Sequence, residues 1–489
     1  MIAARATRAA AATCLAAAVA AALYPPPPAG AHALVGKQDL PIPAWLFAWG
    51  ASLVLIVSFV ALTLAWRTSR FEDEHWRQAP GWLSGLVVNR ATEILAGAFG
   101  AFLLGVVVWS ALSGTEAPDR NFSLTFVFVT FWLGLVAVSV LFGDVFRAFN
   151  PWRAIARGFA GLFRLVARQD PPRPLPYPQR LGRWPAVGGL LAFLWLELIY
   201  GDSGQVTAGL TPRTLAIAVL IYTAFTFVAM ALYGIDTWIE RGETFSVYFG
   251  MFATMAPVEV RDGRLGVRRV LSAATRWAVL PGSAALVLVA IGGTTYDGAQ
   301  EGVLGGVISG VFGRLLDAGV NPTFALRATN TVFMALTLAF VAAIFWLGVR
   351  GMRSVGGTDM SLNRLGRAFV HGFIPIALAY LVAHYFSLAV FQEQAQFTYL
   401  LTDPLGDGSN IFGIAKDPID YGLIGANAVW YVQVAALVIG HVTALVLVHD
   451  KAIAIYDDPR IAARSQYWML GLMVGFTSLG LFLLSQANQ

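Results

Sequence analysis

The sequence predicts an all-α fold, a polytopic membrane bundle of about ten helices that follows a cleaved signal peptide. Three observations carry that expectation. Of 489 residues, 57% are apolar and only 12% are charged, against roughly 25% charged in ordinary soluble domains. Mean hydropathy is +0.66. Apolar runs of membrane-spanning length recur along the chain, and arginines gather in alternate loops. In a soluble protein, a formal charge of +5 would suggest nucleic acid. Here the cations orient the chain in a lipid bilayer, and no nucleic-acid partner is expected.

Residues 1–31 read as a secretory signal. Arg5 and Arg8 precede an Ala-rich core, Pro25 to Pro28 break it, and Ala29-Gly30-Ala31 offers a small-residue cleavage site. Cleavage there leaves one membrane domain, 32–489, with His32 at its outer end. A terminal histidine carries an amine and an imidazole on one residue, a chelate suited to copper. The plainer alternative is an exposed side chain. Cys14, the one cysteine, lies in the leader, so no disulfide is expected afterwards.

Spans are expected to begin near Ala44, Ala91, Phe122, Trp184, Thr214, Trp277, Ala328, Ala368, Ala426 and Tyr467. Each holds about 17 to 24 apolar residues, enough for ~30 Å of hydrocarbon. The second, fourth, sixth, eighth and tenth begin after basic loops, whereas the long acidic loop 392–425 falls on the other side. That alternation predicts both termini outside the cytoplasm. Within 148–183, the run FNPWRAIARGFAGLFRLVAR spaces arginines at helical intervals among Phe, Leu and Ile. It predicts an amphipathic helix on the inner surface with its arginines toward anionic headgroups, ahead of the stiff connector DPPRPLPYP. Gly302–Gly319 is too short and Gly-rich to span, and predicts an interfacial or re-entrant helix. No internal repeat supports an inverted-repeat transporter.

Ionisable groups inside such spans are costly and point to function. Four of six histidines, His371, His384, His441 and His449, fall between 371 and 450. His371 and His384 are thirteen residues apart, which is roughly 20 Å along a helix and on different faces. They cannot hold one ion. A two-haem arrangement needs a matching pair, and the eight-residue spacing of His441 and His449 does not supply it. His449-Asp450 opens a basic loop and reads as a solvated pair; His441, deep in its span, reads equally as a ligand or as a histidine bonded to a neighbouring helix.

Depth gathers a second set near the outer face: Glu197, Tyr200 and Asp202; Tyr296 and Asp297 in GGTTYDG; His384 and Tyr385; then Gln392 and Glu393. Carboxylates and imidazoles hold a metal and manage the proton of its bound water in hydrolytic sites. The residues expected to do so are His384, His32, Asp202 and His441 as ligands of a divalent ion, copper or zinc, with Asp297, Glu197 and Tyr296 in catalysis. Helix capping and headgroup anchoring are the competing explanation. No His-Glu-x-x-His, phosphate loop, Gly-x-Ser-x-Gly elbow or Cys-x-x-Cys is present.

Several runs together resemble a known group. AHALVGKQDLPIPAWLFAWGASLVLIVSFVAL, VLFGDVFRAFNPWRAIA, GGTTYDG, AHYFSLAVFQEQ, NAVWYVQVAALVIGHVTALVLVHD and RSQYWMLGLMVGFTSLGLFLLSQ are similar to multispanning bacterial proteins of the fenitrothion hydrolase-like family. The resemblance covers most of the chain after the leader. It implies a bacterial inner-membrane protein that hydrolyses an organophosphorus triester and releases a phenol. The first reading is therefore a membrane hydrolase taking a hydrophobic small molecule from the bilayer at an outer-leaflet site. The alternative is a copper-binding or copper-transporting protein without hydrolase activity. Either leaves room for a second membrane subunit at the outer surface.

Overall fold

The computed structural model describes residues 44–72, 75–357, 359–414, 417–456 and 458–487. The signal segment 1–31, with Cys14, and His32 lie outside the described residues. The chain is mostly helical, 72%. Its main helices are α1 (Ala44–Ala65), α2 (Arg90–Ser113), α3 (Phe122–Phe142), α4 (Pro151–Ala167), α5 (Trp184–Tyr200), α6 (Pro212–Tyr233) and α7 (Thr244–Ala253). They continue as α8 (Ser283–Glu301), α9 (Gly305–Asp317), α10 (Pro322–Gly356), α11 (Ile374–Phe397), α12 (Ala426–Ile455) and α13 (Tyr467–Ala487). Among the described residues, six helical stretches are long and apolar enough to cross a membrane: Gly81–Ser113, Phe122–Phe142, Pro212–Tyr233, Pro322–Gly356, Leu362–Thr402 and Ala426–Ile455.

Local sequence sets where these helices start. Asn150-Pro151, Thr211-Pro212 and Asn321-Pro322 each place a capping side chain before a proline in the first turn. The cap accepts a free backbone N–H, and the proline loses nothing where its N–H would be unpaired anyway. This signal starts α10 at Pro322, ahead of the expected Ala328. The span expected near Trp277 begins at Ser283, after Pro281 and Gly282. The loop expected from 392 is helical through Phe397, and again from Tyr399 to Thr402.

α8 is the axis of the bundle. It is buried continuously from Leu286 to Ala299 and packs on α5, α10 and α11. Gly292 and Gly293 permit this: a Cβ would lie 2.6 Å from Leu338 at the first and 2.6 Å from Leu194 at the second. Small residues let helix backbones approach where lipid gives no hydrophobic drive to associate. α7, which the hydropathy pattern did not single out, is buried except at Gly250. The fully buried Glu243 caps it, accepting from Phe245 N and Ser246 N and from the side chains of Asn150 and Tyr222.

A small sheet joins the helices, beyond the all-α expectation. Strands β1 (Trp76–Gln78), β2 (Val258–Arg261) and β3 (Arg264–Arg268) pair antiparallel in the order β1-β3-β2. Asp262 and Gly263 turn the β2–β3 hairpin with φ of 48° and 72°, the two positive values that a tight hairpin turn requires.

Two expectations change on the arginine-rich side. The start of α4 is tied to protein rather than held for headgroups. Arg153, with a side chain 9% exposed, pairs with Glu93 at 2.6 Å and lies 3.6 Å from Asp236; Arg157 contacts the same two acids. The far half keeps Phe159, Leu162, Leu165 and Val166 exposed. His449 and Asp450 are not a solvated pair either; they are 2% and 0% exposed. Asp450 accepts from Trp66 Nε1 (2.9 Å), Ser69 Oγ (2.8 Å), Arg70 N (2.6 Å) and Phe71 N (3.1 Å). His449 Nε2 reaches Trp66 O at 3.1 Å. A carboxylate tolerates such burial only when its lone pairs are filled. Together the two residues clasp the segment that leaves α1 against α12.

Candidate functional site

Two helices present their polar residues to each other. The sequence TTYDGAQ ends α8, with Thr294 and Thr295 bonding back to Ala290 O and Ile291 O, so that Asp297 emerges in the last turns, 7% exposed. Across from it, α11 carries His384 and Tyr385. Gly298 lies beside the imidazole, and a Cβ there would meet His384 Nδ1 at an ordinary contact distance of 3.6 Å.

Asp297 Oδ2 lies 2.8 Å from His384 Nε2 and accepts from Tyr385 OH at 2.6 Å; Oδ1 accepts from Gln300 Nε2 at 2.9 Å. An ionised carboxylate only accepts, so the Nε2 proton belongs to the histidine. In the neutral ring Nδ1 then keeps its lone pair. It takes no hydrogen bond among the described residues, and the His384 side chain remains 19% exposed. This is a base held in one tautomer by an acid, with no hydrogen bond to its second nitrogen among the described residues.

Aromatic rings wall the pair. Tyr385 packs edge-on to Trp132 at 5.1 Å, Trp132 donates from Nε1 to Tyr248 OH at 3.2 Å, and Phe193 closes on Trp132 at 5.3 Å. The facing segments Phe126–Gly134 of α3 and Leu196–Tyr200 of α5 are π-helical. Such turns are rare, and they re-aim side chains at functional sites. Glu197 stands on the second of them. Its Oε2 is buried without a hydrogen bond, within electrostatic reach of Asp297.

The other expected residues divide. Tyr296 is fully buried, its hydroxyl unpartnered, in the field of Asp202 and Asp297. Asp202 spends its oxygens on Gly204 N and Asn330 Nδ2, both at 2.9 Å, and so fastens a loop to α10. His441 is fully buried, bonded through Nδ1 to Leu437 O at 2.8 Å and beside the Tyr380 ring, with Nε2 unpartnered. Neither Asp202 nor His441 contacts His384. Among the described residues no three His, Cys, Asp or Glu side chains converge as a ligand set. Gln300 was not in the expected outer group, and Tyr385 was in it without an assigned role. Gln300 lies three residues beyond Asp297, the spacing of neighbours on a helix face, and Tyr385 directly follows His384.

Comparison of the chain with family models, curated proteins and solved structures finds no match. The functional reading therefore rests on the chemistry of the Asp297–His384 pair.

Proposed function

We propose that the protein is a membrane hydrolase of a hydrophobic organophosphorus triester, in which His384 acts as general base. One observation carries this reading: the 2.8 Å contact of Asp297 Oδ2 with His384 Nε2, which leaves Nδ1 without a hydrogen bond among the described residues. Water in contact with Nδ1 attacks phosphorus as its proton passes to the imidazole. Asp297 stabilises the imidazolium, and Tyr385 and Gln300 hold Asp297. The phosphorus–oxygen bond to the aryl group breaks, the phenolate leaves, and the imidazolium returns the proton. The products are a phosphodiester and a phenol. Glu197 and Tyr296 carry unpartnered buried oxygens within electrostatic reach of Asp297 and are assigned to orient water and substrate.

A divalent ion, copper or zinc, fits this pair in one respect. His384 Nδ1 would be a ligand, and the carboxylate behind the imidazole is the usual outer-shell support for it. His32 remains a proposed second ligand from the processed N-terminus. The ion would add Lewis acidity toward the phosphoryl oxygen.

The finer topology belongs to the same proposal. About ten spans follow a removed signal at 1–31, both termini are extracytoplasmic, and the pair faces the outer half of a bacterial inner membrane. The alternation of basic and acidic loops supports it. A lipid-soluble triester reaches such a site by partitioning.

The deciding experiment is turnover of a nitrophenyl phosphotriester by protein reconstituted in vesicles. His384→Gln should lower the rate by roughly 10²–10⁴, the usual contribution of a general base. Unchanged nitrophenol release in that variant would sink the hydrolase reading. Copper handling is the second reading, favoured by His371 and His441, each buried with Nε2 unpartnered. Metal analysis tests it: copper bound by protein without triester turnover would select it.

A further inference from the structure

A cavity of about 440 Å³ lies apart from the Asp297–His384 pair, on the other side of α3 and α5. It is bounded by α2, α3, α5 and α6, and closes on Phe149, Pro151 and Trp152 at the start of α4. Its size falls within the range of small-molecule pockets. Its shape and chemistry are more specific.

The lining follows α3 from Phe126 to Val138 and α2 from Phe99 to Val107. At 1.5 Å per α-helical residue, and less through the π-helical turns, these stretches measure at most about 18 Å and about 12 Å. The cavity is therefore a slot drawn out along the helix axes. Gly100 closes one end, where a Cβ would lie 1.8 Å from Phe149 O. The slot is partly open, and Phe99 on its wall is 50% exposed on helices long and apolar enough to span. That side faces lipid.

Three side chains on the wall carry polar handles, and each handle is already occupied. Thr130 donates to Glu393 at 3.0 Å, Trp152 Nε1 donates to Thr223 at 2.9 Å, and Tyr222 donates to Glu243. No free donor remains on these residues to grip a phosphoryl oxygen or a nitro group. A ligand here, coming from lipid, gains only from dispersion contacts with a closely fitting wall. A compact polar triester is poorly served, whereas a long unbranched chain lying along the bilayer normal matches length, direction and chemistry.

We infer that this slot holds one acyl chain of a membrane phospholipid as a resident ligand. The site is distinct from the Asp297–His384 pair. They share one wall, since Phe193 lines the slot and packs on Trp132, which in turn packs on Tyr385.

The test uses full-length protein in phosphatidylcholine vesicles containing a trace of phosphatidylcholine with a diazirine in its acyl tail. After photolysis, cross-links should concentrate at least fivefold at slot residues such as Leu103 and Leu135 over lipid-facing Leu95 and Leu220. Ala218→Phe, and independently Ala192→Phe from the facing helix, should abolish that excess and leave labelling of Leu95 and Leu220 unchanged. His384→Gln should leave the excess intact, so failure of the hydrolase reading and failure of the slot are separate results. Even labelling of slot and lipid-facing residues overturns the inference. So does an excess that survives in whichever filled variant keeps the parent melting temperature.

Discussion

Asp297 and His384 stand 87 positions apart in the chain and 2.8 Å apart in space. Tyr385 donates to the same carboxylate oxygen from the next residue of α11, so that oxygen has two donors from adjacent residues of one helix. The helix register thus fixes which imidazole nitrogen carries the proton. Asp297→Asn keeps the size of the side chain but removes the charge that stabilises an imidazolium. Triester turnover should fall by about 10²-fold or more, in the range of general-base losses. Tyr385→Phe removes only one donor, and a drop of about tenfold in kcat with KM unchanged is expected, equal to about 1.4 kcal/mol. Equal losses in both variants would contradict a supporting role for Tyr385.

Asp450 supplies a stability prediction independent of activity. Replacing it with alanine strands four donors, two of them backbone amides. A loss of about 3 kcal/mol or more is expected, since breaking a buried charged network is among the costliest single changes. Asp450→Asn keeps one accepting oxygen and should cost less. Melting curves in detergent measure both, and a melting temperature for Asp450→Ala equal to that of the parent would refute the clasp.

Arg153 and Arg157 share Glu93 and Asp236 but differ in burial, with side chains 9% and 39% exposed. Arg153→Ala should destabilise by about 1.5–3 kcal/mol, because a nearly buried guanidinium bonded to Glu93 and to Arg147 O is lost. Arg157→Ala should cost under about 1 kcal/mol, as exposed ion pairs do. Reversal of that order in a denaturation series would show that burial does not set the energetics of α4.

Topology is tested by single cysteines placed in a Cys14→Ser background at Gly408 and at Arg173. A membrane-impermeant thiol reagent added to intact cells should label the first and not the second. The opposite pattern would invert the depth assignment on which the outer-face position of His384 rests.

Hydropathy makes the membrane class legible, and loop charge groups His384 with Asp297 at one depth. Both signals report depth along a helix axis. Neither reports azimuth, the direction in which a side chain leaves the helix, so neither could separate Asp297 from Asp202 as the partner of His384. Asp202 lies at a similar expected level yet turns toward Asn330. His449-Asp450 was misread for a related reason. Beside a basic loop the pair looks solvated, and only the return of residues 66–71 over α12 covers it. The hairpin at Asp262-Gly263 was legible from its turn dipeptide, but its flanks, VEVR and RLGVR, are too short to stand out beside apolar spans. The caps at Asn150, Thr211 and Asn321 were equally available, and they would have corrected the start of α10.

Chains emerge from the ribosome N-terminus first, and this gives the Asp450 clasp a consequence in time. The amide of Arg70 is synthesised 380 positions before the carboxylate that receives it. Until α12 has been made and inserted, the segment after α1 lacks the carboxylate that these donors reach in the folded chain. α13, which packs along α1, comes later still. Assembly of the first helix is thus deferred to the end of translation, and fragments truncated before α12 should leave α1 open to protease and to the quality control that removes unfinished membrane proteins.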